Sequence, residues 1–250
     1  MTWHKRLFAL LLIFLPTQLG FHFWPGWAIV LGRRIDYLSP TIYFTDVLIV
    51  LILVFWFTTF NLHKFSISNF QFLNNSQISK SKFSITLFVI AFAIVNILFA
   101  ANRPVAVYKW IKVLEFGLLG FYIIRIKPSS SFIIWHLSFG IFYSSLIAIG
   151  QFVLQRSIGG PLWFLGERSF AADTGGIARV IWNGRELLRS YATFPHPNVL
   201  GGFLAVTLPL LLVHKKSRWY SLCFAIGIVA LMVTFSRSAW IVAALGILSL

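Results

Sequence analysis

The stretch 189–198, Arg-Ser-Tyr-Ala-Thr-Phe-Pro-His-Pro-Asn, brings a guanidinium, an imidazole and a carboxamide close together along the chain. Pro195 and Pro197 hold the backbone extended and forbid a helix before Asn198. Asn198 is therefore placed to cap the apolar run that follows, and the amides at such a helix start favour a nearby anion. Arg189 and His196 are expected close to that same end. Taken alone, His196 is a ring caught in a rigid turn. A second group, Lys109, Lys112 and Glu115, interrupts an otherwise apolar run at spacings of three, which puts all of them on one face of a helix. That face can be a Lys112–Glu115 ion pair with Lys109 reaching to the surface, or the lysine lining of an outward-open cavity for an anionic headgroup. The two are compatible. Metal chemistry finds no visible donors and no cofactor is expected: Asp-x-Asp and His-Glu-x-x-His are both missing, and Cys223 is the only cysteine.

The composition says what kind of frame holds these groups. Soluble domains carry about 25% charged residues, whereas this chain has 11%, with 58% hydrophobic residues and a mean hydropathy of +0.84. A net charge of +15 on a soluble protein would suggest nucleic acid. Here the basic residues lie between apolar runs, which is a topology signal, and no nucleic-acid partner is expected. Apolar runs near the roughly 20 residues that cross a bilayer cover 7–23, 41–60, 84–101, 105–124, 132–153, 198–213 and 219–235. An eighth, 238–250, is too short to span and has no polar flank after it. The expected fold is an all-α polytopic transmembrane helical bundle of about seven full spans plus a truncated eighth, completed by sequence beyond Leu250. His4-Lys5-Arg6 precedes the first run without a small-x-small cleavage site after it, which reads as an uncleaved signal anchor, and Trp24 and Trp27 then fall where an interfacial aromatic belt would lie.

A cytoplasmic N-terminus puts Lys5, Arg6, Lys64, Lys80, Lys82, Arg125, Lys127, Lys215, Lys216 and Arg218 inside. Outside are Arg33, Arg34, Arg103, Arg237 and a long polar loop with Arg156, Arg168, Arg179, Arg185 and Arg189. Apart from the run 105–124, lysine is confined to the inner side and the outer side uses arginine, which grips phosphate through paired N–H bonds. The chain divides into helices over 1–153, an outer loop over 154–197, and a further helical part over 198–250. Within the loop, Asn183-Gly184 lies between two short segments and signals a two-residue hairpin; a short helix beginning near Arg185 competes with it. In the hairpin register Val180, Trp182, Arg185, Leu187 and Arg189 share one face, with Arg179 and Glu186 diagonal on the other.

The segment from Leu165-Gly166-Glu167-Arg168 through Arg189 to Phe194-Pro195-His196-Pro197-Asn198 resembles the one that opens the main domain of the O-antigen ligase and polymerase family. Thr234-Phe235-Ser236-Arg237-Ser238-Ala239-Trp240 is similar to that family's next landmark, a Ser-Arg pair at an outer span boundary. Pro209, the basic His214-Lys215-Lys216 turn and the charged run with Lys112 and Glu115 also fit; Ala192 departs, since relatives more often have glycine there. The resemblance covers the chain as an N-terminal half. It implies a GT-C-like membrane glycan transferase of the bacterial inner membrane with a periplasmic or extracellular active face. Such an enzyme moves a glycan from undecaprenyl diphosphate to an acceptor lipid, polymer or protein without a metal ion. It implies Arg189 and Arg237 as ligands of the diphosphate, with Lys109 and Lys112 as secondary ones, since a pyrophosphate leaving group needs fixed positive charge. The acceptor-activating histidine is expected beyond Leu250, so His196 takes no such role and residues 1–250 alone are expected to lack transfer activity. A polymerase of the same family is the alternative, and a transporter or flippase of lipid-linked glycans is a non-enzymatic one.

Overall fold

In the computed structural model the described residues are 2–59, 76–171, 173–213 and 217–250, without the side chains of 76–83 and 86. Lys64, His214, Lys215 and Lys216 lie outside the described residues, as do the side chains of Lys80 and Lys82. The chain forms two compact units, one from Met1–His4, Phe21–Ile42 and Ile49–Ile126, the other from Lys5–Gly20, Tyr43–Leu48 and Lys127–Leu250. In sequence order the elements begin with helix α1 (Trp3–Ile13) and the short strands β1 (Gly20–His22), β2 (Ile29–Val30), β3 (Arg33–Arg34) and β4 (Thr41–Tyr43). The helices α2 (Phe44–Thr59), α3 (Ser76–Phe99), α4 (Arg103–Ile126) and α5 (Ser130–Leu154) follow. Strands β5 (Arg179–Trp182) and β6 (Arg185–Leu188) precede α6 (Pro197–Leu212), α7 (Arg218–Val233) and α8 (Arg237–Leu248).

The first unit pairs α3 with α4. Asn102 at the join accepts from the Val105 amide, and the Trp110 indole donates to Asn96 at 3.1 Å, so a polar clasp fixes the register of two otherwise apolar helices. Both run 24 residues, about 36 Å at 1.5 Å per residue. Tyr122 is fully buried and shares a 2.9 Å hydrogen bond with His4 Nδ1, with Trp56 packed edge-on against its ring. The Tyr108 hydroxyl donates to the Thr41 carbonyl, tying the start of α4 to the segment that carries β2 and β3.

The second unit is built on α5, whose inner face carries Ser138, Gly140, Ile141, Ser144, Ser145, Ala148 and Gln151. Small side chains on that face let neighbouring helices come close. Ser129 caps α5 through the Phe132 amide. Ser138 accepts the Trp219 indole N–H at 2.6 Å, and α7 lies along α5. Gly227 of α7 leaves no room for a Cβ, which would stand 2.4 Å from Leu208 of α6. Leu200, Leu204 and Leu208 of α6, with Ile141, Ala230 and Ala243, make the core of the four helices.

The seven-span bundle is not what forms. Among the described residues one helix, α5, is long and apolar enough to cross a membrane. The remaining apolar runs fail for three physical reasons. Run 7–23 is not one helix: α1 stops at Ile13, a turn follows, and 20–22 is strand. Runs 41–60, 198–213 and 219–235 hold helices of 16 residues and run 238–250 one of 12, about 24 and 18 Å at the helical rise and short of a ~30 Å hydrocarbon core. In α3 the apolar described part is Leu87–Phe99, and α4 is long enough but carries Arg103, Lys109, Lys112, Glu115 and Arg125. Hydropathy marks an apolar run; it does not mark where the helix inside it ends.

Candidate functional site

The site is built in the second unit, where the loop after α5 returns to the helices. One buried side chain organises that return. Gln151, with no exposed surface, accepts the Tyr191 and Ala192 amides on Oε1 at 3.0 and 2.8 Å. Its Nε2 donates to the Ala192 carbonyl and to Glu167. The Glu167 carboxylate, also buried, accepts the Ile158 and Gly159 amides at 2.7 and 2.8 Å. Ser190 donates to the Ala148 carbonyl and Thr193 to the Pro16 carbonyl. The buried side chains of Gln151, Glu167, Ser190 and Thr193 are thereby all hydrogen-bonded, which keeps an irregular segment stable against helices. Ala192 sits at φ 50°, the left-handed region that favours glycine, so its side chain is held there at a backbone cost that the surrounding hydrogen bonds offset.

Upstream, 179–188 forms the hairpin and not the helix. Its pairs run from Arg179↔Leu188 to Trp182↔Arg185, with Asn183 and Gly184 at φ 49° and 76° in the turn. Arg179 and Glu186 meet at 3.0 Å on one face, and Leu188 is pinned by its amide to Gln155 at the end of α5. The strand therefore delivers Arg189 to a fixed place. Its backbone amide donates to Ala178 and its Nε to the Thr234 carbonyl at 2.8 Å, while Nη2 donates to the Asn198 side chain. Arg189 thus bridges the chain entering α6 and the chain entering α8.

Those two helices start side by side. A Cβ on Gly201, in the first turns of α6, would lie 3.0 Å from the Cβ atoms of Ser236 and Ala239, and one on Gly246 would lie 2.9 Å from Pro209. Start lies against start and end against end, so α6 and α8 run parallel and their positive dipole ends share one side. Asn198 does not cap α6. His196 is the cap: Pro197, whose fixed φ suits a first helical residue, starts the helix one residue earlier, and His196 Nδ1 accepts the Asn198 amide at 3.1 Å, while the Asn198 carboxamide accepts from Arg189. Arg237 is the exposed first residue of α8, whose cap residue Ser236 makes no side-chain bond to the helix. Among the described residues no carboxylate pairs with Arg189 or Arg237. Burial lowers the Arg189 pKa, partly offset by Tyr191; burial and then the Arg189 charge lower that of His196. A neutral His196 is what its cap requires, since Nδ1 must carry a lone pair to accept.

Arg189, Arg237, His196 and Asn198 are brought together in this way. Lys109 and Lys112 belong to the first unit. Lys112 forms a 3.3 Å ion pair with Glu115, and Lys109 is exposed, with its ammonium 5.3 Å from the Tyr108 ring centroid. Gln151 lies in none of the sequence motifs. Its signal was a lone carboxamide in the apolar run 132–153, which must find partners if buried. No protein-family model, curated protein or solved structure matches the chain.

Proposed function

We propose that the second unit binds the diphosphate of a polyprenyl-linked glycan and presents it for transfer to an acceptor hydroxyl, as an O-antigen ligase or polymerase does. The site stands at the outer face of a bacterial plasma membrane, at the Leu154 end of α5. One observation carries this: two parallel helix starts lie side by side, bridged by Arg189 and flanked by Arg237, with no carboxylate paired to either arginine among the described residues. Such a place holds uncompensated positive charge, and helix-start amides with arginines are matched to phosphate oxygens. In transfer, the acceptor hydroxyl releases its proton to solvent as its oxygen bonds to the sugar, the sugar–oxygen bond to the diphosphate breaks, and the charge left on the diphosphate falls on these groups. His196 is held as a cap and takes no proton-transfer role here.

The test uses Arg237→Gln, which removes an exposed side chain, and Arg189→Lys, which keeps charge but loses the fork. Farnesyl diphosphate binding to the purified chain is expected to weaken by roughly 10-fold or more with either, the scale of a charged hydrogen bond. In cells, both substitutions are expected to reduce acceptor glycan. Carrier-linked polymer accumulating without attachment identifies a ligase, and loss of chain length alone a polymerase. Unchanged binding and unchanged acceptor glycan in both variants reject the proposal.

A further inference from the structure

Two hairpins of this chain turn on the same backbone conformations with different residues. Asn183-Gly184 sits at φ 49° and 76°, Leu31-Gly32 at 50° and 75°. Asparagine before glycine is the ordinary choice for two successive left-handed residues, and a leucine is sterically penalised there. Packing does not explain the leucine either, because Leu31 is 98% exposed. Around it Trp27, Ile29 and Val30 are also exposed. The opposite strand supplies charge: Val30 pairs with Arg33 and Ile29 with Arg34. The Arg34 guanidinium lies over the Trp24 ring, 5.3 Å from its centroid, and residues 20–35 contain no Asp or Glu.

We infer that the hairpin at 27–34 is a wedge for an anionic bilayer surface, with Leu31, Val30, Ile29 and Trp27 in the acyl boundary and Arg33 and Arg34 on lipid phosphates. Apolar tip residues beside arginines and an indole match the chemistry of the headgroup layer, where amphipathic rings and cationic side chains settle. A second feature of the same unit favours lipid over a protein groove. On α3 four consecutive apolar residues, Leu87, Phe88, Val89 and Ile90, are all exposed, so apolar surface runs around the helix and not along one stripe. A groove covers one side of a helix; lipid covers every side. The wedge is independent of the diphosphate proposal, which concerns the other unit.

The full chain, reconstituted in vesicles of brominated phosphatidylcholine with and without an equal part of phosphatidylglycerol, is labelled at Leu31→Cys with an environment-sensitive fluorophore. Buried Cys223 stays in place, and the parent chain is checked for label. Quenching by the brominated chains is expected, stronger with phosphatidylglycerol. Arg33→Gln with Arg34→Gln should weaken that lipid dependence about fivefold per charge. A Val30→Cys reporter keeps the test valid if a variant folds poorly. Adding Leu31→Asn, which suits the turn, should hold or raise the Tm yet cut the quenched fraction at least about threefold. A label at position 31 reached by aqueous iodide and untouched by brominated lipid overturns the inference. So does a label shielded without lipid quenching that crosslinks to a second copy, which would make the hairpin a protein contact.

Discussion

Gln151 is a single side chain that does the work of a strand edge. Through four hydrogen bonds it gives the returning loop the donors and acceptors that a neighbouring strand would otherwise supply. Gln151→Leu keeps the volume but leaves two buried amides unpaired, a loss of about 2–5 kcal/mol that a denaturant midpoint would register. Arg237→Gln, by contrast, should stay within about 0.5 kcal/mol of the parent, so binding and stability separate cleanly at that residue. His196 adds a pH dependence. Its folded pKa is depressed, so as pH falls the unfolded chain takes the proton first. The cap's contribution is complete above the ordinary imidazole pKa and is lost as pH drops through that range toward the folded value. His196→Asn, which can cap without titrating, should flatten that part of the stability profile in thermal unfolding between about pH 8 and pH 5.

At the scale of elements, what is local is legible and what is long-range is not. Asn183-Gly184 encodes its turn in two residues, and Pro195 and Pro197 bound the start of α6 through backbone chemistry alone. The partner of the Asn198 side chain is not legible in that segment, because the Arg189 that bonds it lies nine residues upstream. The Thr234 carbonyl that holds Arg189 is 45 residues away and carries no side-chain signal. The closeness of α6 and α8 was hidden as well, since it rests on Gly201 meeting Ala239 and Ser236. Gly201→Ala should cost about 1–3 kcal/mol as an overpacked contact. It should also weaken farnesyl diphosphate binding although no polar group is lost, because it parts the two helix starts. Equal binding in a folded Gly201→Ala chain would show that their spacing does not matter.

For the whole molecule, composition identified an apolar protein but miscounted its spans, because an apolar stretch can contain a strand, a turn or a short helix. Among the described residues α5 alone has the length and composition to cross, and half of that stretch is buried inside the protein. Leu146, near its middle, is exposed. If α5 crosses the bilayer, Leu146→Lys places a charge in hydrocarbon at about 2.5–3.5 kcal/mol and should reduce the fraction of chain recovered in washed membranes. A helix that met water there would accept the lysine without loss, so unchanged membrane recovery would count against the crossing.

The Gln151 clasp also sets a clock. The Tyr191 and Ala192 amides lie in no helix or strand, yet each is bonded to a side chain rooted in α5. Their exchange with deuterated solvent should follow the opening of α5 and its neighbours and not the breathing of a loop. Exposed turn amides such as that of Gly175 should exchange orders of magnitude sooner. A stretch with no regular structure thereby inherits the lifetime of the helix it leans on, and Arg189, two residues before Tyr191, is held in place for as long as that helix lasts.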